Sequence, residues 1–164
     1  MKKCVEPKKK ALFIIILVVV IAILSGGIYG VLQMPKTIAG IMNTKMDVGY
    51  EYMTVCKKNI DGEFDIDTIR IHAPEGIEAI WKLMEETDVS FQKIISSTEL
   101  KEGEVRYEVT DLQHIKSVQI TNSGEVYAMA LHIPQLVLVY SVSEEQTVSF
   151  FERIEEIRNN YGEE

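Results

Sequence analysis

The chain has 164 residues, with 17 Lys and Arg against 25 Asp and Glu and a formal net charge of −8. That length suits one domain plus an accessory segment. Two Cys exclude a disulfide framework or a Cys-rich zinc module, and the acidic balance argues against a nucleic-acid binder. The charge is unevenly placed. Residues 1–10 hold five Lys and one Glu, leaving twelve of the basic residues and 24 of the acidic ones to the rest.

After this basic tail (residues 1–10), Ala11 to Leu32 reads ALFIIILVVVIAILSGGIYGVL without a charged residue. As a helix those 22 residues measure about 33 Å, enough for a hydrocarbon core of about 30 Å. Residues 11–33 are therefore predicted to be a transmembrane signal-anchor. Lys2, Lys3, Lys8, Lys9 and Lys10 precede the span, whereas Lys36 and Lys45 alone follow it closely. The positive-inside rule predicts a cytoplasmic N-terminus and an extracytoplasmic body at the cell membrane. The rival is a cleaved signal peptide, for which Ser25-Gly26-Gly27 offers small residues without the A-x-A form. Gly26 and Gly30 have the G-x-x-x-G spacing of helix pairs, common in membrane spans.

Residues 34–44 are expected to form a stalk, with Ile38, Ile41 and Met42 extending the helix or covering the base of the domain. Residues 45–164 are expected to form the domain. Met46, Val48, Tyr50 and Tyr52 alternate with Asp47, Gly49 and Glu51, the pattern of a half-buried strand. Asn59-Ile60-Asp61-Gly62 marks a turn. Phe64 and Ile66, then Ile69 and Ile71, continue as a second strand, and the change of parity suggests a bulge.

Pro74 opens a helix whose stripe is Ile77, Ile80, Trp81 and Met84, ending near Thr87-Asp88. Val89 and Phe91 hint at a short strand before a polar loop from Glu99 to Gly103. Val105, Tyr107 and Val109 alternate with Arg106, Glu108 and Thr110. Thr121-Asn122-Ser123-Gly124 turns a hairpin between 114–120 and 125–132. The run Val126 to Val142 is interrupted by His132, Pro134 and Gln135, which suits two strands around a loop better than a second span. Leu136 to Val142 reads as a central strand buried on both faces. Ser143 to Gln146 forms a capping box for a last helix with Phe150, Ile154, Ile157 and Tyr161 on one stripe. The class is α+β: an antiparallel sheet of order ββ-α-ββββ-α with helices on one face.

The runs DIDTIRIHAPEGIEAIWKLMEET, VRYEVTD, KSVQITNSGEVYA and VYSVSEEQTVSFFERIEEI resemble small membrane-anchored or lipoprotein-type extracytoplasmic domains of Gram-positive bacteria. The resemblance covers roughly residues 64–160. It implies the α+β fold and assigns no functional residue. No Cys follows the apolar run closely, a departure from the lipoprotein members.

The sequence carries no G-x-S-x-G, P-loop, H-E-x-x-H, Cys-x-x-Cys or EF-hand loop. Asp65 and Asp67 lie two apart on one strand face, and with Glu63 or Asp61 they form a candidate Ca²⁺ set; the plainer reading is a solvated edge that repels other edges. Tyr50 and Tyr52, also two apart, form a candidate ligand groove or pack against a helix. His72, His114 and His132 show no metal-ligand spacing. Cys56 reads as a small buried hydrophobe, and Cys4 lies on the opposite side of the span. No cofactor is implied. The expected function is a non-catalytic, anchored binding module, an accessory subunit with a protein partner at the envelope and no nucleic acid. The alternative is a secreted or anchored hydrolase with a dispersed site from Asp65, Asp67 and His72.

Overall fold

The computed structural model describes residues 7–34, 36–42, 52–61, 63–96, 99, 101–111, 116–129 and 137–163. The chain divides into two compact units, Met1–Met34 and Pro35–Glu164.

The first unit is helix α1, Pro7–Gln33. Its 19-residue stretch Phe13–Val31 is long and apolar enough to cross a membrane, and none of it is buried. An apolar helix with no buried face has no protein core to satisfy it. Apart from the backbone of α1 itself, nothing lies within 4 Å of a Cβ built on Gly26, Gly27 or Gly30.

The second unit is an antiparallel sheet with helices. It begins with strand β1 (Lys36–Thr37) and a helical turn, α2 (Ile38–Met42). Two long strands follow, β2 (Met53–Asp61) and β3 (Glu63–Ile71), then helix α3 (Pro74–Glu86). Strands β4 (Asp88–Ile95), β5 (Val105–Asp111), β6 (Lys116–Thr121), β7 (Glu125–Met129) and β8 (Val137–Ser141) come next. Helix α4 (Glu144–Tyr161) and strand β9 (Gly162–Glu163) complete the described chain. The sheet order is β1-β4-β8-β7-β6-β5-β2-β3-β9. All neighbours are antiparallel.

Among the described residues five strands, rather than four, lie between α3 and α4. The additional one is β4, whose residues after Phe91 do not alternate cleanly because its pairing with β8 shifts between Phe91 and Lys93. The segment read as a stalk contributes β1 and α2 to the sheet unit, with Ile38, Ala39 and Met42 buried. Ile38 and Met42 are four apart and so share one helical face. The Ile38 amide also donates to the Thr87 carbonyl at 3.0 Å. The strand expected around Met46 to Tyr50 lies outside the described residues, and β2 begins at Met53.

The bulge expected in β3 is absent. Its register against β2 runs unbroken from Asp61↔Glu63 to Met53↔Ile71. The change of parity is instead a change of face: Ile69 and Ile71 point into the core, while Phe64 and Ile66 stand exposed on the other side.

Pro74 sits in the first turn of α3, and Ile77, Ile80, Trp81 and Met84 are buried as their spacing requires. The Gln146 amide donates to the Ser143 hydroxyl at 3.3 Å, capping α4. The return bond of a capping box is replaced by one between the Ser143 and Gln146 side chains at 3.5 Å. Gly124 turns the β6–β7 hairpin with φ +80°, a conformation that disfavours a Cβ. A Cβ there would also lie 2.9 Å from Thr147 Oγ1 and the Val142 carbonyl.

The main core lies between the sheet and the helices. Val55, Ile71, Tyr107, Val109, Val118, Ile120, Val126 and Tyr140 meet Ile77, Ile80, Trp81, Met84, Phe150 and Ile154. Two edge-to-face aromatic pairs fix its geometry, Phe91 with Tyr140 and Tyr107 with Phe151. A smaller cluster of Tyr127, Val137 and Val139 lies on the opposite face. β8 is thus a central strand buried on both sides, as its apolar run implies.

Candidate functional site

The period of two that sends Tyr107, Val109, Val118 and Ile120 into the core sends their neighbours to the other face. There Glu104, Arg106, Ser117, Gln119 and Thr121 are buried polar residues. Burying charge is costly unless it is paired, and these groups are paired. Arg106 Nε donates to Glu104 at 2.9 Å, its Nη1 to Gln119 Oε1 at 2.7 Å and its Nη2 to the Glu99 carbonyl at 3.2 Å. A second contact joins Nη2 to Glu104. The guanidinium also lies 4.7 Å from the centre of the Tyr127 ring.

Gln119 on β6 links Arg106 to Glu108, both on β5. Its Nε2 donates to Glu108 Oε2 at 2.9 Å, and Ser117 Oγ donates to Glu108 Oε1 at 2.8 Å. Lys58 pairs with the same carboxylate from β2. The result is one chain of contacts, Glu104–Arg106–Gln119–Glu108–Lys58, with two carboxylates balanced by two cations. Burial alone would raise the Glu108 pKa, but the donors Lys58, Ser117 and Gln119 outweigh it and hold the carboxyl below its ordinary range.

A second network lies on the helix side. Lys57 donates to Glu155 at 2.5 Å, and Tyr107 donates its hydroxyl to the same oxygen. Arg158 reaches Glu155 at 3.3 Å and also pairs with Asp67. Burial tends to raise the Glu155 pKa; Lys57, Tyr107 and Arg158 reverse that and lower it. Burial and the Glu155 carboxylate both raise Tyr107, so its hydroxyl stays protonated as a donor. Tyr127 is raised in the same way, by burial and then by Glu125, to which it donates at 2.7 Å.

Glu104, Glu108 and Glu155 each accept from several donors and both tyrosines donate, so the arrangement braces strands β2, β5 and β6 and ties α4 to β3. The alternation of Arg106, Glu108 and Thr110 with apolar residues does not by itself say whether their face is buried. The signal that distinguishes a buried network is complementary chemistry on adjacent strands, Lys58, Arg106, Glu108 and Gln119, which becomes visible only once the strand order is known.

The residues singled out by sequence fall elsewhere. Tyr50 lies outside the described residues. Tyr52 is half-buried, its ring 5.2 Å from that of exposed His72 and 5.7 Å from the Arg70 guanidinium. Asp65 and Asp67 do share a strand face and are exposed, but Asp67 is engaged by Arg158. Among the described residues no group of three or more His, Cys, Asp or Glu side chains is placed to hold a metal ion. His114 and His132 lie outside the described residues. Cys56 is buried as a free thiol. A small cleft of about 210 Å³ between α3 and α4 is lined by Ala79, Lys82, Arg153, Glu156, Asn160 and Tyr161 among others.

Comparison with protein-family models, with curated proteins and with solved structures returned no match, so the reading of function rests on geometry and chemistry.

Proposed function

We propose that the chain is a single-pass, membrane-anchored interaction module, N-terminus in the cytoplasm and α+β domain outside, serving as an accessory subunit of an envelope complex. The observation that carries it is the wholly exposed apolar stretch Phe13–Val31 preceding a separate unit with its own core. An exposed apolar surface of that size without a charged side chain is stable only in lipid or against a partner. The five Lys ahead of it favour the cytoplasmic side for that end. Among the described residues Glu104, Arg106, Glu108, Gln119 and Glu155 are engaged in bracing, which supports a scaffold for binding over a reaction centre. The resemblance to anchored Gram-positive domains points the same way.

Full-length protein, tagged at its C-terminus and purified in detergent from native membranes, tests the proposal. The expected result is an intact N-terminus and a stoichiometric membrane partner. A soluble product beginning near Ile28, free of partners, would overturn it.

A further inference from the structure

Strand β3 offers an unusual edge. On one side it pairs with β2 along its whole length. On the other it pairs with β9 only at Arg70 and Ile71. Among the described residues nothing pairs with the outer edge from Glu63 to Ile69, and Glu63 to Thr68 are all exposed. At about 3.3 Å per residue, this edge could receive roughly 20 Å of extended chain.

Its two faces differ in chemistry. Phe64 and Ile66 lie on the side of Lys58 and Ile60, 59% and 50% exposed. Glu63, Asp65 and Asp67 lie on the other. Arg158 engages Asp67, whereas Glu63 and Asp65 have no ion-pair partner among the described residues. Bare hydrogen-bonding edges invite strand addition. Charge decides what can accept the invitation. Antiparallel pairing with a second copy that continues the sheet sets odd positions against odd positions, so acids oppose acids, which is destabilising. An anionic lipid surface meets the same repulsion.

We propose that the free edge of β3, Glu63 to Ile69, binds an extended protein segment of alternating basic and apolar residues by strand addition. Its basic side chains face Glu63 and Asp65, and its apolar ones cover Phe64 and Ile66. The inference rests on the interaction-module reading and specifies its surface.

The test uses the full-length protein in neutral detergent and a fluorescent nonapeptide of alternating Lys and Val. Anisotropy should show saturable binding, weaker for a peptide with the same residues in two blocks. The E63K/D65K variant should bind the Lys–Val peptide about tenfold more weakly and gain affinity for an alternating Glu–Val peptide. The F64S/I66S variant should also lose about tenfold. All four side chains are exposed, and circular dichroism should confirm that both variants fold. No wild-type binding, or equal binding by wild type and both variants, would overturn the proposal, as would a homodimer cross-linked through β3. If the membrane partner of the previous section is retained in full by F64S/I66S, this edge is wrong while the interaction module stands. If wild type itself captures no partner, the broader reading falls.

Discussion

The two faces of the sheet solve the problem of burial in different ways. Beneath α2, α3 and α4 the strands present Val55, Val109, Val118, Ile120 and Val126, and packing against Trp81, Phe150 and Ile154 supplies the stabilisation. On the reverse face the same strands present Arg106, Glu108, Ser117 and Gln119, which are buried or half-buried and held by mutual hydrogen bonds. The apolar face tolerates changes of shape at modest cost if volume is kept. The polar face depends on partners, and removing one leaves another buried and unsatisfied.

The sharpest way to separate the faces is truncation on each. Trp81→Ala, at a side chain 1% exposed, should cost about 3–5 kcal/mol through lost burial and a residual cavity. Chemical denaturation followed by circular dichroism measures it. Arg106→Leu should cost about 3 kcal/mol because Glu104 stays buried without its cation. Adding Glu104→Gln to Arg106→Leu should restore part of the loss. Additive losses would show that the pair is not a coupled unit.

Acid should act on the polar networks. Glu108 and Glu155 have folded pKa values below their unfolded ones, so their contribution is present above the ordinary Glu pKa of about 4.3. It is lost as pH falls through the folded values, where protonation no longer distinguishes the states. Thermal stability should therefore fall below about pH 4.5, and Glu108→Gln should flatten part of that slope. A slope unchanged by Glu108→Gln would contradict the role given to Lys58, Ser117 and Gln119. Smallest of all, Ser143→Ala should cost about 1 kcal/mol by removing the cap of α4 while leaving both faces intact.

The helix-covered face was largely legible in the sequence. Ile77, Ile80, Trp81 and Met84 follow the helical period, Ser143 caps α4, and Gly124 marks the hairpin, because local rules govern each of them. The reverse face was not legible, since Arg106 and Glu108 alternate as solvent-facing residues do and their partners lie on other strands. Phe64 and Ile66 show the same limit. Their pattern matches a core strand, but register places them outside, and only the pairing with Lys58 and Ile60 reveals which face they occupy. The candidate residues Asp65 and Asp67 were placed on one face by period alone, while the capture of Asp67 by Arg158 depends on where α4 docks.

Thiol labelling in intact cells tests most directly the proposal that the domain is anchored and faces outward. In a Cys4→Ser/Glu145→Cys chain the new thiol replaces an exposed glutamate, and the Cys4→Ser parent, whose Cys56 is buried, sets the background. A membrane-impermeant maleimide should label the Glu145→Cys position without lysis, on a protein that sediments with the membrane. Labelling that requires lysis would place the domain in the cytoplasm and contradict the account.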